Sequence, residues 1–245
     1  MKDKIVFSID SLYKSYDKKR VLEGVSLQVE AGEIFGFIGK NGVGKSTTID
    51  CSIGIKKFDS GTIQICGYDP IRQPLEAKRC LGYVASTPCC YDNMTGFSYL
   101  QFLASIYGVE KQDFTERLDG LLDCLYFDRS DLRMHISTYS HGKRQKICLI
   151  GSLLHDPDLW LLDEPTVGLD VMTIKSLKLL MQERASRGKT VFFASHNIEF
   201  VASVCDRVAI INEGTIVALY DLNADPQLKP QLSQLFYNLN ENNDN

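Results

Sequence analysis

The run Gly39-Lys40-Asn41-Gly42-Val43-Gly44-Lys45-Ser46-Thr47-Thr48 sets two glycines, a lysine and a serine at the spacing that wraps a polyphosphate. Backbone N–H groups must approach phosphate oxygens closely, so Gly39, Gly42 and Gly44 let the chain curl into an anion-binding nest. Lys45 offers a cation to the terminal phosphates, the Ser46 hydroxyl suits Mg²⁺, and Asn41 and Thr47 complete the cradle. A second group is Asp163-Glu164, which ends the apolar run Leu159-Trp160-Leu161-Leu162. Open α/β sheets bind ligands beyond the carboxyl ends of their strands. There Asp163 would face a Mg²⁺ held by Ser46, and Glu164 would orient or deprotonate a water. His196 follows another apolar strand, Val191–Ser195, and is placed to hydrogen-bond a γ-phosphate. Ser140-His141-Gly142 precedes an amphipathic run at Ile147, Ile150, Gly151 and Leu154. It reads either as a second anion site at a helix start, not necessarily facing its own phosphate loop, or as a capped surface helix.

These residues need a scaffold. Ile34–Ile38 reads as a buried strand feeding the loop, and a helix is expected from Lys45 to about Ile53, stopped near Gly54. Residues 4–33 alternate in strand fashion, and Gly61–Gly67 is a further short strand; together they predict a small antiparallel β lobe. Over 95–139 apolar residues recur at helical spacing, at Tyr99, Phe102, Leu103 and Ile106, then at Leu118, Leu121, Leu122 and Leu125. Strands at 159–162 and 191–194 with helices between them give the alternation of a mainly parallel α/β sheet, and a hairpin is expected at Val208–Ile211 and Thr215–Ala218. The expected organisation is one domain over 4–230, with a helical lobe inserted at about 88–156 and a disordered polar tail at 231–245.

Bulk properties narrow the function. The 245 residues are 44% apolar and 24% charged, with net charge −4 and no basic block, so no nucleic-acid partner is expected. Eight cysteines, none in a C-x-x-C pair, read as reduced and mostly buried; adjacent Cys89-Cys90 is either redox-active or a plain loop. No signal peptide is read at the start, and no stretch reaches the roughly 18–20 apolar residues that span a bilayer.

Taken in order, Tyr16, the phosphate loop, Gly82-Tyr83-Val84, Tyr139-Ser140-His141-Gly142-Lys143, Asp163-Glu164, Gly168-Leu169-Asp170 and His196 closely resemble the ATP-binding cassette ATPases that drive transporters. The resemblance covers about residues 4–220. It implies a P-loop NTPase core carrying an antiparallel β lobe and an inserted α-helical lobe, with ATP and Mg²⁺ as ligands. It implies two cassettes paired head to tail, here as a homodimer, with Ser140 and Gly142 of one reaching the γ-phosphate held by the other. Tyr16 would stack on adenine, Asp170 would lie at the seam, and Lys45, Glu164 and His196 would act in hydrolysis. The implied partner is a separate transmembrane permease, with the chain peripheral at the cytoplasmic face of the membrane. Tyr139–Gly142 with Gly168–Asp170 look like exporter cassettes for peptides, antibiotics or drugs. Alternatives are an importer subunit, a soluble cassette acting on ribosomes or nucleic acid, and a non-hydrolysing regulatory cassette.

Three positions depart from the family pattern. Ser86 stands where a glutamine is usual, and serine cannot span the same gap to the metal and water without a bridging water. His141 replaces the signature's first glycine, and Lys143 stands where glutamine is common, adding positive charge near a triphosphate. Ser86→Gln is expected to raise basal ATPase rate or its stimulation by a membrane partner; unchanged rates in both assays would contradict this reading.

Overall fold

The computed structural model describes residues 4–241. Strands β1 (Ile5–Tyr16), β2 (Lys19–Glu30) and β4 (Ser60–Ile65) form an antiparallel sheet in the order β2-β1-β4. Strands β3 (Ile34–Ile38), β5 (Leu81–Val84), β6 (Leu159–Asp163), β7 (Thr190–Ser195), β8 (Arg207–Asn212) and β9 (Thr215–Asp221) form a second sheet, ordered β5-β6-β7-β3-β8-β9. Its strands run parallel except β9, which turns back from β8. The two-residue loop between them, Glu213-Gly214, has φ of 46° and 77°, the backbone of a tight hairpin that matches strand twist.

The apolar runs are continuous because the parallel sheet is covered on both faces. Ile34, Ile38, Trp160, Leu162, Val191 and Phe193 pack into one core, while Phe35, Phe37, Leu159, Leu161, Phe192 and Ala194 pack into the other. Successive residues of a strand thus alternate between two interiors. The second interior joins the antiparallel sheet and helix α1 (Lys45–Ser52). The first holds α3 (Gly96–Ile106), α4 (Lys111–Cys124), α5 (His141–Leu153), α6 (Val171–Ser186) and α7 (Ile198–Val204); α2 (Pro74–Arg79) precedes β5.

Two expectations are corrected. Residues 231–241 are not disordered: they belong to helix α8 (Leu228–Glu241). Leu232 and Phe236, one turn apart, are buried in the first core, which gives the segment an apolar stripe despite its polar composition; 242–245 lie outside the described residues. The helix read from the spacing of Tyr99, Phe102, Leu103 and Ile106 is present as α3, whose buried stripe is Tyr99, Leu100 and Ala104, with Phe102 and Ile106 exposed. Finally, the cysteines are not mostly buried: Cys51 and Cys205 are, Cys89 is exposed, and the other five are half-buried.

Phe192 ties the β lobe to the parallel sheet, with ring centroids 5.1 Å from Phe7 and 5.7 Å from both Phe35 and Phe37. Phe192→Ala is expected to cost about 3–5 kcal/mol in urea unfolding, with Phe192→Leu costing clearly less.

Candidate active site

Four parallel strands deliver the chemistry to one edge. Register pairs Ile38 with Ser195, Ala194 with Asp163 and Leu162 with Val84, so the strand ends lie side by side. Beyond that edge a cavity of about 260 Å³ is lined by Asn41, Gly42, Gly44, Lys45, Ser46 and Thr47, together with Ser86 and Glu164. Gly44 is the N-cap of α1 at φ 117°, and a Cβ there would meet Leu22 Cδ2 at 2.7 Å and Val21 O at 3.0 Å. Backbone conformation and space both demand glycine. No side chain caps this helix and no acid stands in its first turn, so its leading N–H groups and positive dipole end suit an anion.

Lys45 is 6% exposed. Its ammonium donates to Gly39 O at 2.8 Å and Lys40 O at 3.1 Å, and lies 3.7 Å from Glu164 Oε1. Burial lowers its pKa, opposed by the charges of Glu164 and Asp163.

Glu164 adopts φ 51°, a left-handed backbone that costs a glutamate about 1–3 kcal/mol. Its backbone N–H donates to Ala194 O at 2.9 Å. The carboxylate is fastened through Oε2, which accepts from Ser195 Oγ at 3.2 Å and the His196 N–H at 3.3 Å, with His196 Nδ1 at 2.9 Å. Oε1 is buried with no hydrogen-bond partner. One oxygen is therefore held and the other is left able to accept a proton or a hydrogen bond.

Asp163 is 2% exposed, and its Oδ1 is buried without a hydrogen-bond partner. The nearby hydroxyls of Ser46 and Ser86 lower the pKa of its carboxyl group, yet burial, the largest influence, raises it. A buried carboxylate with an unsatisfied oxygen beside two hydroxyls is a hard oxygen donor set that fits Mg²⁺.

The other sequence candidates lie elsewhere. Tyr16 is 40% exposed at the end of β1, with Lys14 Nζ 4.7 Å and Lys56 Nζ 5.7 Å from its ring centroid, and is not among the residues lining the cavity. Ser140 caps α5, accepting from Lys143 N at 3.3 Å. Neither Ser140 nor Gly142 lines the cavity of its own chain. A Cβ on Gly142 would meet Gly168 O at 2.7 Å, so the start of α5 packs on the loop after β6. Lys143 does not lend free charge to a nucleotide: its ammonium pairs with Asp131 at 2.8 Å. Asp170 caps α6, accepting from the N–H and hydroxyl of Thr173 at 2.8 Å each. Those bonds, with Lys146, hold its pKa down at about 2. Ser195 escaped the sequence reading; its signal was a lone hydroxyl at the end of an otherwise apolar strand.

Residues 22–167 match the model of the family described as ABC transporter. The chain belongs to the ABC transporter ATP-binding family. It is 33% identical to the ABC transporter ATP-binding protein NatA of Bacillus subtilis over 205 residues, covering 82% of this chain and 83% of that protein. It is 31% identical to the SkfA peptide export ATP-binding protein SkfE of Bacillus subtilis, covering 86% of this chain and 87% of that one. A solved structure of an ATP-binding subunit of an ABC transporter superposes with a TM-score of 0.89 at 29% identity, covering 96% of this chain and 99% of that chain. ATP-binding chains of this family hydrolyse ATP to power transport, and they work as dimers with transmembrane permeases. Among the described residues, no helix is long and apolar enough to cross a membrane.

Because burial raises the Asp163 pKa, this group favours folding most below its ordinary carboxylate pKa, and that contribution is lost as pH rises through the raised value. Asp163→Asn is therefore expected to raise the Tm of the nucleotide-free ABC protein at pH 7 by about 2–4 °C, a gain that shrinks on acidification. A lowered Tm at pH 7 would contradict it.

Proposed function

We propose that this ABC chain is the ATP-hydrolysing subunit of an exporter, pairing with a second copy of itself and docking peripherally on a separate permease at the cytoplasmic face of the membrane. The observation that carries the proposal is the division of the anion-binding parts. Lys45, Ser46 and Glu164 share one cavity, whereas the capped α5 tip with Ser140 and Gly142 lies outside it. A second chain would bring that tip to the cavity and complete it. The peptide-export name of SkfE favours outward transport.

Ser46 and Asp163 would hold Mg²⁺, which supplies charge neutralisation between the β- and γ-phosphates when bound. Lys45 would exchange its bonds to the Gly39 and Lys40 carbonyls for phosphate oxygens, and Gly39, Asn41, Gly42, Gly44 and Thr47 would line the cradle around them. The Oε1 of Glu164, 3.7 Å from Lys45 and without a hydrogen-bond partner, would accept the proton, or a hydrogen bond, of the attacking water, while Ser195 and His196 fix Oε2. The exposed ring of His196, anchored to Glu164, would present its other nitrogen to the γ-phosphate. Tyr16 would stack on the adenine. No step requires nucleic acid.

Complementation tests the composite site. Lys45→Ala and Ser140→Ala chains alone are each expected to lose ATPase activity by about 100-fold. Mixing them should restore turnover, because one of the two sites then receives an intact loop from one chain and an intact α5 tip from the other. Full activity of Ser140→Ala, or a mixture as inactive as its parts, would refute the paired arrangement.

A further inference from the structure

Cys90 lies in the segment of residues 85–95 that joins β5 to α3, and Cys148 lies on α5. They are 58 residues apart in the chain, yet their sulfurs lie 3.2 Å apart. A disulfide needs about 2.05 Å, so closing this gap asks for a small side-chain movement. Arg144 of the helix pairs with Asp92 of the segment at 2.6 Å, and just ahead of the helix the N–H groups of Ile136 and Ser137 donate to Met94 O and Asp92 O. Both residues are half-buried, and Cys148 and Cys89, the neighbour of Cys90, line a cavity of about 220 Å³ that gives a small oxidant a path to the pair.

We propose that Cys90 and Cys148 form a redox-sensitive dithiol that hydrogen peroxide converts to an intramolecular disulfide, fastening the Ser86-bearing segment to α5 and slowing turnover. The effect on turnover rests on the ATPase reading above; the bond itself does not. In the first step Cys90 thiolate attacks the peroxide, an S–O bond forms, the O–O bond breaks, and hydroxide leaves to take up a proton. In the second step Cys148 sulfur attacks the Cys90 sulfenic acid, the S–S bond forms, and the S–O bond breaks. Hydroxide leaves and takes the Cys148 proton. Two thiols lose two electrons and the peroxide becomes two waters.

The environment assigns the roles. The hydrogen bond from Cys148 holds the Cys90 pKa below the ordinary thiol value, aided by Arg144, while the same contact and burial push Cys148 up. With the Arg144 guanidinium held at Asp92, two residues along the loop, Cys90 serves as the nucleophile and Cys148 as the resolving thiol. The other close pair is less reactive, since burial pushes Cys66 up to about 12 and raises Cys80 as well. The consequence reaches the active site because Ser86 precedes Cys90 by only four residues, lines the phosphate cavity and acts on the Asp163 carboxyl group. The new bond would couple this loop covalently to the helix whose first turn carries Gly142.

The test uses the full-length reduced chain treated with hydrogen peroxide, followed by thiol blocking, intact-mass measurement and peptide mapping. The expected product has lost two hydrogen masses and yields a peptide linking Cys90 to Cys148. Cys90→Ser and Cys148→Ser should each prevent it, and Cys89→Ser and Cys66→Ser should not. ATPase activity of the wild type should fall several-fold on oxidation and return with dithiothreitol, whereas Cys148→Ser should be insensitive. A linkage found only at Cys66 and Cys80, or none, overturns the dithiol. A Cys90–Cys148 linkage that leaves the ATPase rate unchanged overturns its control of turnover. Absence of turnover in the reduced wild type would instead sink the ATPase reading, leaving the peptide map to decide the bond.

Discussion

One ammonium and two carboxylates, all largely withdrawn from water, share the carboxyl edge of the parallel sheet. Lys45 and Asp163 are 6% and 2% exposed, and the Glu164 side chain is 13% exposed. Buried charges cost several kcal/mol each unless their partners are good. Here the partnership is incomplete: Lys45 leans on two loop carbonyls, and Asp163 Oδ1 and Glu164 Oε1 have no hydrogen-bond partner. The polar atoms left over are those that a triphosphate and a divalent cation would satisfy.

The rest of the fold holds that arrangement still. Strand residues alternate between two interiors, so the six-stranded sheet is rigid on both faces and its loops must leave from its ends. Parallel pairing sets Asp163, Ser195 and the start of the phosphate loop side by side. The left-handed backbone at Glu164 then turns its carboxylate back to Ser195 and His196. The strain there is tolerated because the fully buried strands on either side leave the backbone no room to relax.

Much of this was legible in the sequence because glycine spacing and apolar strand runs report backbone geometry directly. The phosphate loop, Asp163-Glu164 and His196 could be placed at one edge from strand ends alone. What escaped reading depended on side-chain partners. Lys143 reads as a spare positive charge until Asp131, twelve residues earlier, is seen to neutralise it. Ser195 is one serine among many until its hydroxyl meets Glu164. Cys89-Cys90 draws attention as a neighbouring pair, yet the close partner of Cys90 is Cys148, on a helix that only the fold brings near. The 231–241 segment looked like tail because its composition is polar, although Leu232 and Phe236 suffice to dock a helix.

Calorimetric titration with ATP tests the central claim most directly. The unsatisfied buried charges predict saturable binding of one nucleotide per chain with magnesium, weakening by at least about tenfold without the metal and lost with Lys45→Ala. Equal affinity in the presence and absence of magnesium, together with undiminished binding by Lys45→Ala, would contradict it.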